Sequence, residues 1–128
     1  MRYLKYATLT LLIIVLAACG STSTNGSSSH PAGIDQATWD DYCSHGAALL
    51  GYVNQASKGT ITPDEYVTKL NGSQNGIQSD ADATTDAGMR AKFQAITDAI
   101  GRTKVAVATG DVPDYSALVN AVGALPAC

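Results

Sequence analysis

The chain's 128 residues carry 8 Lys and Arg against 11 Asp and Glu, a net charge of −3, with 45% hydrophobic but only 6% aromatic residues. That length holds one domain rather than two, and the acidic balance excludes nucleic acid, whose phosphates need clustered Lys and Arg, and direct docking on an anionic membrane surface. A core built chiefly from Ala, Val, Leu and Ile is marginal at this size without a covalent staple.

Met1-Arg2-Tyr3-Leu4-Lys5-Tyr6 brings two positive charges ahead of ATLTLLIIVLAA, residues 7–18, an uncharged apolar run. This is the plan of a secretory signal peptide. A membrane span needs about 20 apolar residues; this run is shorter, ends in small residues and has no basic stop after it. Leu16-Ala17-Ala18-Cys19 resembles the lipobox of bacterial lipoproteins, a leucine and two small residues before a cysteine. The resemblance implies that the Cys19 thiol receives a diacylglycerol and that cleavage just before it makes Cys19 the mature N-terminus. The protein is then an extracytoplasmic lipoprotein, attached to the bacterial cell membrane through the lipid on Cys19. An ordinary cleaved leader with an unmodified cysteine is the other reading of the same residues.

Residues 20–33, GSTSTNGSSSHPAG, read as a flexible tether, because small polar side chains bury no apolar surface to offset the entropy of ordering them. A Gly/Ser chain of this length spans roughly 20 Å. The domain itself runs over residues 34–128. Without residues 1–19 it keeps 6 basic against 11 acidic residues, a net charge of −5. With Cys19 lipidated, as the lipobox resemblance implies, Cys43 and Cys128 are the two thiols left, in a compartment that permits oxidation. Closing so long a loop restrains the unfolded chain by ~4 to 5 kcal/mol in the chain-entropy model. A reactive pair is the competing reading, but there is no C-x-x-C, and Cys128 as the last residue suits a clasp.

Four helices are predicted in chain order. In residues 35–59, Trp39, Tyr42, Cys43, Gly46, Leu49, Leu50 and Val53 recur at three- and four-residue steps, with Asp35 as N-cap and Gly59 just past the end. ITPDEY, residues 61–66, starts the second: Thr62 caps, Pro63 fits the first helical position, Glu65 completes a capping box, and Ile61 with Tyr66 forms a hydrophobic staple. Tyr66, Val67, Leu70 and Ile77 carry its apolar stripe. NGSQNG at 71–76 either breaks this helix or runs through it, and continuity is favoured because no β-branched strands flank a turn. DADATTDAG, residues 80–88, fails as a calcium loop, lacking the central Gly and the final Glu, and reads as a solvated turn capping the next helix.

The third helix spans about Asp86 to Thr109, with Met89, Phe93, Ile96, Ile100 and Val107 inward and an Asp98–Arg102 ion pair outward; Gly110 closes it. The fourth follows a cap at Asp111 or Asp114, buries Tyr115, Leu118, Val119, Val122 and Leu125, and stops at Pro126. The expected fold is all-α: a small up-down four-helix bundle stapled by one disulfide and preceded by a signal peptide and a disordered tether.

Chemistry is sparse. Asp41 and His45, four apart, share a helix face where a carboxylate can orient an imidazole, and Tyr52 lies two turns on along the same flank. Ser44 and His45 point about 100° apart, so they do not pair locally as nucleophile and base. No phosphate loop, G-x-S-x-G or H-E-x-x-H is present. The expectation is a non-enzymatic module without metal or cofactor, in which Asp41, His45 and Tyr52 mark a ligand or partner surface for an envelope or surface protein. The alternative is a carrier holding a small apolar ligand, such as haem or lipid, between the helices. In organisation alone, the chain resembles the small exported lipoproteins of uncertain role in high-GC Gram-positive bacteria.

Overall fold

The computed structural model describes residues 30–128; the signal peptide, the lipobox with Cys19 and the tether up to residue 29 lie outside the described residues. Four helices follow one another: α1 Gln36–Ser57, α2 Pro63–Ala83, α3 Ala87–Thr109 and α4 Tyr115–Gly123. Loops of five, three and five residues join them, so consecutive helices run antiparallel, and α4 returns onto α1 to close the bundle. No strand occurs among the described residues. None of these helices is long and apolar enough to cross a membrane.

Every helix starts at a side-chain cap, because its first amides have no partner within the helix. Asp35 accepts from Thr38 N, and Asp86 accepts from Met89 N. At α2 the full capping box forms: Glu65 N donates to Thr62 Oγ1 at 3.2 Å, and Thr62 N donates to Glu65 Oε2 at 2.8 Å. Asp114, not Asp111, caps α4, accepting from Ser116 N and Ala117 N.

The core is aromatic at its centre. Tyr42 lies 5.2 Å from Trp39 and 4.8 Å from Phe93, ring centroid to centroid. Leu49, Leu70, Ile77, Ile96, Ile100 and Leu118 are fully buried around these rings. Cys43 is bonded to Cys128 with the two Cα atoms 5.9 Å apart, so the segment after α4 is tied to α1. Two stripes are narrower than their spacing predicts. Leu50 on α1 and Val119 on α4 stand 37% and 45% exposed, because α4 has only nine residues and covers little of α1.

Three local expectations need correction or resolution. The NGSQNG run is continuous helix inside α2. DADATTDAG is a solvated turn only in its second half, where Asp86 caps α3 as expected; Asp80 and Asp82 belong to the last turns of α2, and Asp80 and Thr84 are buried, with Thr84 Oγ1 donating to Asp80 O at 2.7 Å. The Asp98–Arg102 ion pair does not form, since both side chains stand exposed on α3 and the one ion pair among the described residues is elsewhere. Solvated charges gain too little there to fix two long side chains.

The chain enters the bundle at a defined place. Gly33 O accepts from Thr85 N at 2.9 Å, and its φ of +79° suits glycine, whose missing Cβ also lets it lie against Asp86. This contact places the start of the described chain at the end of the bundle formed by the α2–α3 loop. The α1–α2 and α3–α4 loops lie at the other end, a 22-residue helix away, or roughly 33 Å.

Candidate functional site

The three residues singled out in the sequence do not converge on one site. His45 is oriented by a carboxylate, but that carboxylate is Asp80 of α2, not Asp41: His45 Nδ1 and Asp80 Oδ2 are 2.8 Å apart. Asp41 stays exposed on α1. It loses the competition because a helix neighbour four residues away reaches the imidazole only through solvent, whereas Asp80 faces it across the helix–helix seam. The His45 side chain is 36% exposed and that of Asp80 5%. Burial raises the Asp80 carboxyl above its ordinary value, the hydrogen bond and charge of His45 pull the other way, and Asp41 adds a smaller upward push.

Gly76 makes this pairing geometrically feasible. A Cβ at position 76 would lie 2.7 Å from His45 Cε1 and Nε2, so only a residue without one lets the imidazole lie against α2. Tyr42, buried nearby, has its phenol pushed up to about 12 by burial and by the Asp80 charge, and stays neutral. Tyr52 is half-buried further along the same seam, with Lys69 Nζ 4.8 Å from its ring centroid. Ser44 is exposed, and no hydroxyl hydrogen-bonds His45 among the described residues. Nor do these residues include a group of three or more His, Cys, Asp or Glu able to hold a metal ion. The pair therefore works as a lock between α1 and α2.

A more site-like feature lies at the end of the bundle opposite Gly33. The α1–α2 and α3–α4 loops border a cleft of about 310 Å³, walled by Ile61, Pro63, Tyr66, Val107, Pro113 and Tyr115. Tyr66 and Tyr115 pack with ring centroids 6.2 Å apart at 50°. Tyr66 is only 2% exposed, and its hydroxyl has no hydrogen-bond partner. Burial, with a smaller contribution from Tyr115, pushes the Tyr66 phenol up to about 12, so the group is a neutral O–H. Beside the cleft Val112 stands 88% exposed. The rim is acidic: Asp111 lines the cleft, Asp64 and Glu65 open α2, and Asp114 caps α4.

Sequence reasoning missed this cleft, although it used some of its residues as local signals. Ile61 and Tyr66 were read as a staple and Tyr115 as core. The available clue was a shared pattern, Pro63-Asp64-Glu65-Tyr66 against Pro113-Asp114-Tyr115, which puts a proline, an acid and a tyrosine at the starts of two helices. A second, apolar groove runs along the disulfide between Tyr42, Leu50, Val122 and Leu125. Comparison with protein families, with curated proteins and with solved structures finds no match to this chain.

Proposed function

We propose that the protein is a membrane-anchored extracytoplasmic lipoprotein whose helical domain is a binding module rather than an enzyme, presenting its recognition surface at the pole farthest from the anchor. One observation carries this reading: the chain enters at the pole made by Gly33 and the α2–α3 loop, and the cleft with its exposed Val112 lies at the opposite one. A lipid on Cys19 and a tether attached at the first pole orient the second toward the surroundings. Exposed apolar residues beside a concave aromatic surface are the usual anchor of a protein contact, and the partner class is another envelope or surface protein. The Cys43–Cys128 pairing supports the compartment, because disulfides persist where oxidation is permitted.

The test places a photo-crosslinking residue at Val112 and, separately, at exposed Ser79 or Asn75 on α2, in cells that process lipoproteins. The expected result is one adduct of defined mass from position 112 and none from α2, on a protein whose intact mass shows a diacylated Cys19. Equal labelling from all positions, or a membrane-extracted protein that retains its leader, overturns the proposal. A second reading, the carrier of a small apolar ligand, is favoured by the unpartnered Tyr66 hydroxyl at the cleft. It places the ligand at the pole, because Trp39, Tyr42 and Phe93 fill the space between the helices.

A further inference from the structure

We propose that the polar cleft binds a small neutral molecule made of an apolar body and one oxygen acceptor, such as a ketone, ester or amide, and that the Tyr66 hydroxyl is the donor that holds it. This deepens the carrier reading and shares with the module reading only the location of the cleft.

Leaving a buried hydroxyl without a partner costs about 1 to 3 kcal/mol, and most buried polar groups in folded proteins are satisfied. Tyr66 lines the cleft, and its hydroxyl, like the Trp39 indole N–H in the core, has almost no exposed surface and no partner. A phenylalanine at position 66 supplies the same ring to the staple and the core, so packing alone gives no reason for the oxygen. A protonated phenol has one hydrogen to donate, and an oxygen acceptor on a ligand satisfies it. The walls formed by Ile61, Val107 and the two prolines suit an apolar body. Asp111 lines the cleft, and Glu65 and Asp114 flank it at the helix starts, which favours neutral ligands over carboxylates, phosphates and sulfonates.

The hydroxyl is shielded in the empty cleft, and the group best placed to uncover it is Tyr115. That residue is half-buried, lies against the Tyr66 ring and begins the short helix α4. Rotation of one side chain at the start of a nine-residue helix is a small rearrangement.

The experiment uses secreted residues 20–128, since all four helices, the core and the disulfide lie within 30–128. The probe is prodan, a neutral naphthyl ketone whose emission reports hydrogen bonding to its carbonyl; the sulfonated dye ANS serves as an anionic counterpart. The expected result is saturable prodan binding with weaker ANS binding. In Tyr66→Phe the prodan Kd rises about five- to tenfold and emission shifts to the blue, while the Tm of the unliganded protein is unchanged or higher. Val107→Trp, which fills the cleft, abolishes binding with the helical circular dichroism retained. The opposite pattern in Tyr66→Phe, a lower Tm with an unchanged prodan Kd, makes the hydroxyl structural and overturns the proposal. Absence of saturable prodan binding, or wild-type affinity in Val107→Trp, also overturns it. None of these outcomes depends on Cys19 or on a protein partner, so failure here leaves the crosslinking test of the module reading intact.

Discussion

At the pole where the chain enters, Gly33 is pinned to the α2–α3 loop, and the Cys43–Cys128 bond holds the segment after α4 against the nearer half of α1. At the opposite pole two five-residue loops surround a cleft with an unpartnered hydroxyl in its wall and a valine standing in solvent. The first end is closed covalently, its helices are capped and its rings stacked, with one demand unmet, the indole N–H of Trp39, which is buried without a partner. The second leaves two demands unmet, a buried donor without an acceptor and an exposed apolar side chain. An unpartnered buried donor is thus common to both ends, and it is the exposed valine beside a cleft that sets the second apart and supports placing the proposed binding surface there.

The strongest way to break the contrast is to cut the staple. Cys43→Ser with Cys128→Ser is expected to cost about 4 kcal/mol in the chain-entropy model, read as a lower urea midpoint by Trp39 fluorescence. Where the variant remains folded, prodan binding at the far pole should persist. A loss below about 1 kcal/mol means that packing alone holds the near end.

The two glycines of the NGSQNG run give a sharper comparison with a smaller effect. Gly76→Ala forces a Cβ into the His45 ring and should destabilise by about 1 to 3 kcal/mol, an overpacking cost. Gly72→Ala meets nothing within 4 Å and should stabilise by roughly 0.5 to 1 kcal/mol through helix propensity. Thermal melts of the pair decide it, and equal shifts of one sign contradict the placement of His45 against Gly76.

Asp80→Asn alters the seam lock more gently and is read against pH. Burial raises the folded carboxyl of Asp80 above its ordinary value of 3.8, so the folded state binds this proton more tightly than the unfolded chain does. Its contribution to stability is therefore full below the ordinary value and fades as pH rises through the raised one. Asn keeps a carbonyl for His45 Nδ1 but does not titrate, so the variant should lose less stability than wild type as pH rises above that ordinary value. A steeper loss in Asp80→Asn means that the ion pair with His45 outweighs burial. The smallest effect belongs to Trp39, which is wholly buried: iodide should quench its emission far less in the folded than in the urea-unfolded protein.

Much of the fold was legible in the sequence because its signals are local. Asp35, Thr62 with Pro63 and Glu65, and Gly110 mark helix ends within four residues of what they cap, and the inward stripes of α1 and α3 repeat at helical spacing. Pairing Cys43 with Cys128 needed only a count, once Cys19 was set aside by its resemblance to a lipobox. What stayed hidden depends on residues meeting from different helices. His45 and Asp80 are 35 residues apart, and the i,i+4 rule pointed to Asp41 instead. Gly76 reads as a glycine within a continuous helix, and the imidazole that needs its missing Cβ lies on α1. The cleft was invisible for the same reason: Tyr66 and Tyr115 each satisfy a local role, and their oxygen and ring become a wall only after α2 and α4 start side by side.

The central claim is that binding takes place at the pole remote from Gly33, where the chain enters the bundle. The direct measurement is the amide chemical-shift map of the folded protein titrated with acetophenone, a small neutral ketone soluble enough for NMR. Shifts concentrated in residues 59–66 and 107–115 are the predicted result. A map centred instead on Leu50, Val122 and Leu125 along the disulfide groove, or spread evenly over the bundle, contradicts the account.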